Sequence, residues 1–99
     1  MKNGYEIFWT QEAANNLKLI FDYLSTNWSK KEISNFTNKL ENRLRIISLY
    51  PKLFRKSKKK NIHISVLTKQ ITLYYKIEKK KIIILTLFDV RQNPNKIKI

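Results

Sequence analysis

The chain has no cysteine, one glycine, two prolines and one histidine in 99 residues. Without cysteine there are no disulfides and no thiolate metal sites, so a reducing compartment, the cytoplasm, is the expected location. One histidine without nearby carboxylates provides too few ligands for zinc, and neither a metal nor a cofactor is expected. No apolar run approaches the ~18–20 residues of a membrane span. The opening Met1-Lys2-Asn3-Gly4-Tyr5-Glu6 lacks the apolar stretch of a secretory leader. There is no linker rich in Pro, Gly or Ser and no internal repeat, so residues 1–99 are expected to form a single domain.

Acidic residues are scarce as well. Seven Asp and Glu face 21 Lys and Arg, for a net charge of +14. The imbalance is regional. Residues 1–50 hold seven basic and five acidic side chains, whereas residues 51–99 hold fourteen basic side chains against Glu78 and Asp89. Lysine-rich codon usage would raise both halves alike. The asymmetry favours a surface for a polyanionic partner. Hydrophobic residues make up 42% of the chain, enough for one modest core.

The apolar spacing gives the elements. Tyr5–Trp9 alternates as a strand, with Tyr5, Ile7 and Trp9 on one face. Thr10 can cap a helix carrying Ala13, Leu17, Ile20, Phe21, Leu24 and Trp28 as one stripe. Ser29-Lys30-Lys31-Glu32 is a capping box, and Ile33, Phe36, Leu40, Leu44 and Ile47 continue a second helix that Tyr50-Pro51 stops. The short link makes the helices an antiparallel hairpin. Ile62–Val66 and Ile71–Ile77 alternate as strands. Ile82–Leu87 is almost continuously apolar, as in a strand covered on both faces. Turns at Lys69-Gln70 and Lys79-Lys80 make these three an antiparallel meander. The expectation is an α+β fold of order β-α-α-β-β-β, a helix hairpin packed on one face of a small antiparallel sheet. Alternation turns Ile62, Ile64 and Val66 toward the helices. It leaves His63, Ser65, Thr72, Tyr74 and Lys76 on a polar outer face.

This order and charge resemble the RelE/ParE superfamily of toxins from type II toxin–antitoxin modules. Trp9-Thr10-Gln11-Glu12-Ala13, followed by Leu17, Ile20, Tyr23 and Trp28, is similar to the ParE-type opening. Ile71–Ile77, Ile82–Phe88 and Asp89-Val90-Arg91-Gln92-Asn93-Pro94 resemble the family's last two strands and its closing Arg-containing segment. The resemblance implies a toxin that arrests growth and is neutralised by a cognate antitoxin. ParE-type members inhibit DNA gyrase; RelE-type members cut mRNA on the ribosome without metal. Two lysines of the nuclease pattern fall near His63 and Ser65 here, and its strand arginine falls near Thr72. Arg91 has a counterpart, and no tyrosine follows Tyr75. These departures tilt the reading toward gyrase or a related target. Cleavage of mRNA is the alternative, and a non-toxic basic nucleic-acid-binding domain is a third reading.

The candidate residues follow. For a nuclease they are His63, whose pKa range suits proton transfer, Arg91 for phosphate charge, Tyr74 and Lys69. For binding nucleic acid or the target they are Arg91, Lys58, Lys59, Lys60 and Lys76. His63 and Tyr74 could equally be ordinary strand residues, and the lysine runs diffuse electrostatics.

Overall fold

The computed structural model describes residues 4–58 and 61–90. Its elements run β1 (Glu6–Trp9), α1 (Gln11–Asn27), α2 (Lys30–Leu49), β2 (Arg55–Lys56), β3 (His63–Val66), β4 (Ile71–Glu78) and β5 (Lys81–Asp89). The strands form one sheet in the order β1-β5-β4-β3-β2. The expected meander is present: β3 pairs antiparallel with β4, and β4 with β5. β1 joins the far side of β5 in parallel, so the sheet is mixed rather than wholly antiparallel. The two-residue β2, hidden in the basic segment after Pro51, extends the opposite edge.

Both helices start where their caps dictate. The Thr10 hydroxyl accepts from Ala13 N at 3.1 Å and donates to Ile84 O at 2.9 Å, so one side chain caps α1 and ties it to β5. Ser29 and Glu32 form a reciprocal capping box at the head of α2, at 3.2 and 3.0 Å. Ile20, Leu24, Phe36, Leu40 and Ile47 bury the facing stripes against Leu73, Tyr75, Ile82, Ile84 and Leu87 of the sheet. Each such side chain contributes roughly 1.5–3 kcal/mol by leaving water. Phe21 and Phe36 meet edge to face at 5.6 Å across the hairpin.

Two short ties close the N-terminal edge. Tyr5 N donates to Ser48 O at 2.8 Å, and the Ser48 hydroxyl donates to Tyr5 O at 2.7 Å. A Cβ at position 4 would collide with that hydroxyl, which explains why the chain's only glycine lies there. Beyond the end of β1, Asn16 on α1 stands in for a strand neighbour of β5. Its side-chain oxygen accepts from Leu87 N at 3.2 Å and from the Thr86 hydroxyl at 2.6 Å.

The faces of β3 differ from the alternation reading. Register sets His63 beside Tyr75 and Ser65 beside Leu73, on the helix side. Ile62 and Ile64 lie on the outer face, in a second apolar cluster with Tyr74, Leu85 and Phe88. Val66, also outward, is 58% exposed. The outer face is therefore largely apolar, not the polar concavity expected. The inward polar groups are satisfied. The Arg43 guanidinium of α2 donates to the Ser65 hydroxyl at 2.6 Å and to Val66 O at 2.7 Å, and stacks over Phe54 at 5.4 Å.

Candidate functional site

Register gathers the cations at one end of the sheet. β4 and β5 turn between Glu78 and Lys81, which puts Lys79 and Lys80 in a two-residue turn. β2 and β3 are paired at Lys56 and His63, opposite Tyr75, so the C-terminal end of β2 lies toward this same end. Lys56, Lys58, Lys76, Lys79, Lys80 and Lys81 thus share one end of the sheet with the start of β1 and the end of α2. Lys76 pairs with Glu78 at 3.0 Å. Lys81 sets its ammonium 5.2 Å from the Phe8 ring centroid on the outer face. Lys79 holds φ 57°, a left-handed conformation that costs a side-chain-bearing residue and suits glycine or asparagine.

The candidate nuclease residues do not converge. His63 is 7% exposed, and its Nδ1 lies 3.1 Å from Phe54 O. Only a protonated nitrogen donates to a carbonyl, so that contact fixes the tautomer with Nδ1 as donor. The imidazole stacks on Tyr75 at 5.1 Å and 14°, on the helix side of the sheet. Tyr75 is fully buried and its hydroxyl donates to Pro51 O at 2.7 Å; burial pushes its pKa up to about 12. His63 and Tyr75 together clamp the Pro51–Phe54 segment onto the core. Tyr74 does face outward, as alternation requires, but its ring is packed among Ile62, Leu85 and Phe88. Lys69 is exposed in the β3–β4 turn at the opposite end of the sheet. There it lines an open groove of about 340 Å³ with Trp28, Phe36 and Lys39. Lys58 is exposed at the basic end. Lys59, Lys60 and Arg91 lie outside the described residues.

Sequence reasoning missed Arg43, Asn16 and β2. Arg43 had a signal. It lies three residues after Leu40 and four before Ile47, on the buried stripe of α2, where a guanidinium demands acceptors from the sheet. No group of three or more His, Cys, Asp or Glu side chains that could hold a metal occurs among the described residues. No helix among them is long and apolar enough to cross a membrane.

The model of the ParE toxin of the type II toxin–antitoxin system parDE matches residues 7–94. The chain belongs to this family. Its fold is similar to that of the chromosomal ParDE toxin–antitoxin system from P. aeruginosa, with a TM-score of 0.72 at 16% identity over 86% of this chain and 95% of that one. It is also similar to the E. coli DinJ-YafQ toxin-antitoxin complex, with a TM-score of 0.59 at 12% identity over 92% and 98% of the two chains. A copper-bound mutant toxin from Helicobacter pylori gives 0.55 at 14% identity over 90% and 98%. No curated protein sequence matches the chain significantly. At these identities the solved structures establish the fold, and the family match establishes a type II toxin. The toxin assignment and the two-helix, one-sheet architecture agree with the sequence reading.

Proposed function

We propose that this toxin arrests growth by binding DNA gyrase or a related target through its basic end, with no bond made or broken by its own side chains. The burial of His63 carries the reading. The single imidazole is held by a backbone carbonyl and an aromatic ring on one side of the sheet, while Tyr74 and Lys76 lie on the other. A proton-transfer pair spanning both faces could not meet at one phosphate. The lysine kept at the strained position 79 supports a role for charge at that turn, since a local rule is broken there without a structural gain.

A supercoiling assay with purified gyrase tests the reading. Inhibition by near-stoichiometric toxin, weakened when Lys79, Lys80 and Lys81 become glutamine, is the expected result. Unaltered gyrase activity beside full growth arrest would sink it. RelE-like, metal-independent cleavage of mRNA on the ribosome is the second reading, favoured by Tyr74 and Lys76 sharing the outer face near the lysines. Primer extension on translated messages after induction separates the two: new 5′ ends support cleavage, and their absence supports target binding.

The same proposal gives the toxin a cognate antitoxin as partner and the cytoplasm as its place of action. Two of the solved relatives described above are toxin–antitoxin complexes, or come from such a system, and this supports the pairing. Growth should recover when the small reading frame beside the toxin gene is co-expressed. Persistent arrest with a well-expressed partner would count against it.

A further inference from the structure

The cations at the basic end of the sheet fall into two groups. Two of them have acids beside them on the strands. Lys76 pairs with Glu78, and Lys81 has Glu78 and Glu6 as its register neighbours on either side. The other four, Lys56, Lys58, Lys79 and Lys80, are exposed and have no carboxylate partner among the described residues. These four are held in a row. Ser57 N donates to Ile62 O at 2.6 Å, one step beyond the Lys56–His63 pair, so Lys58 leaves β2 at the end where β4 turns into β5. Lys79 and Lys80 form that turn. From β5 through β4 and β3 to β2 the row spans three strand spacings, about 14 Å. Like charges fixed along such a row repel, and a polyanion laid across it relieves the repulsion.

The row selects among polyanions. Duplex DNA carries one negative charge per roughly 1.7 Å of its axis, so about 14 Å of it presents about eight phosphate charges. Carboxylates on a folded protein are ordinarily interspersed with cations and do not reach that density. Single strands are held largely by stacking their bases on aromatic rings. Of the strand rings at this end, Tyr74 and Tyr75 are buried, and Phe8 has the Lys81 ammonium 5.2 Å from its centroid. The surface offered is therefore one of ammonium groups rather than rings. Lysine is a compact point charge that holds a phosphate without reading base edges.

We infer that this end of the sheet binds the sugar–phosphate backbone of duplex DNA, independently of base sequence, through Lys56, Lys58, Lys79 and Lys80. The inference deepens the gyrase reading above and rests on it for one point: the duplex that the toxin meets is the one gyrase holds. The left-handed backbone at Lys79 then has a use. It sets an exposed ammonium in the tight turn that ends the sheet, where a glycine would fit the backbone but contribute no charge.

Fluorescence anisotropy of a labelled duplex of about 20 base pairs, titrated with purified toxin between about 50 and 200 mM salt, is the test. Four phosphate contacts give a log–log salt slope of about −3.6, and affinity should fall roughly 150-fold over that range. Two duplexes of unrelated sequence should bind within about twofold of each other, and either single strand more weakly. Lys79→Gln with Lys80→Gln should reduce the slope to about −1.8. Lys56→Gln with Lys58→Gln should do the same, and this pair carries the test if circular dichroism shows the turn variant unfolded. Lys30→Gln with Lys31→Gln, at the start of α2 and remote from the basic end, should leave the slope unchanged. Equal slopes in all three variants would mean diffuse charge and overturn the inference, as would tighter binding to the single strand. Absence of duplex binding at about 50 mM salt overturns it too. If the turn variant still weakens gyrase inhibition in that case, the gyrase reading stands, with a protein surface as the partner. DNA binding localised to the four lysines, beside unaltered gyrase activity, upholds the DNA surface and removes the gyrase reading.

Discussion

The two faces of the sheet are both rich in apolar side chains, yet they are used differently. On the helix side Leu73, Tyr75, Ile82, Ile84 and Leu87 are closed off by two amphipathic helices, and even the polar intruders His63 and Ser65 have partners there. On the outer side Ile62, Tyr74 and Phe88 pack among themselves, while Val66 and Phe8 remain open to solvent. Apolar content alone does not say which face is the core. What separates the faces is the partner laid over each. The difference predicts large penalties on one side and small ones on the other.

The largest effect belongs to the helix side. Leu73→Ala removes a fully buried side chain from the middle of β4, in the core cluster to which both helices contribute. A loss of about 3 kcal/mol is expected, within the range for cavity-forming truncations. Urea denaturation followed by circular dichroism measures it. A loss under about 1 kcal/mol would mean that the helices do not seal this face.

Next comes the clamp at Tyr75. Tyr75→Phe leaves the ring stacked on His63 but removes the donor to Pro51 O, at a cost of about 1–2 kcal/mol near neutral pH. The pH dependence sharpens this. The unfolded phenol ionises at its ordinary value of 10.0, and burial raises the folded value to about 12. A group raised on folding gives stability that is full below pH 10 and is lost as pH climbs through 12. The wild type should therefore lose on the order of 2–3 kcal/mol more than the phenylalanine variant across that window. Parallel alkaline limbs for the two proteins would show that the hydroxyl reaches water.

The helical half was legible in the sequence because its signals are local. Thr10 and Ser29 open the helices, Glu32 completes the capping box, and Tyr50-Pro51 closes α2 where the spacing says it should. The order of strands in the meander followed from turn positions at Lys69-Gln70 and Lys79-Lys80. The facing of β3 was not legible, because alternation identifies two faces without saying which partner each will meet. The near-continuous run Ile82–Leu87 held the missing hint: a β5 apolar on both sides implies an apolar outer face that Ile62 and Ile64 could join. Arg43 on the buried stripe of α2 held the other, since it needed Ser65 turned inward. The candidate residues suffered most. Alternation makes His63 an open-face base, but a residue's polarity does not reveal that a distant loop carbonyl, Phe54 O, will claim it.

A smaller effect is expected at the basic end. Lys79 at φ 57° bears a strain that glycine would not, so Lys79→Gly should stabilise the hairpin. The gain is at most about 1 kcal/mol, because glycine also adds entropy to the unfolded chain. If toxicity falls while thermal stability rises, the lysine is there for its charge and not for the turn. Equal toxicity would make that turn a dispensable part of the target surface.

The smallest effect is the most discriminating for the two faces. Val66 belongs to the apolar set that alternation sends under the helices, beside Ile62 and Ile64. The structure pairs it with Thr72 on the outer face, and it is 58% exposed. Val66→Thr keeps the β-branched shape, and with it the strand preference, while replacing a methyl with a hydroxyl. On an exposed outer position the hydroxyl stays hydrated, and the change should be within about 0.5 kcal/mol. Under the helices the same hydroxyl would be buried without a partner, at a cost of about 1–3 kcal/mol. The neighbouring Ser65→Val serves as the reciprocal measurement. It strips the Arg43 guanidinium of its hydroxyl acceptor, and it should be the costlier of the two substitutions although it adds apolar surface. The reverse order, with Val66→Thr costly and Ser65→Val neutral or stabilising, would turn β3 over. It would restore the polar outer face and return His63 to solvent beside Tyr74 and Lys76.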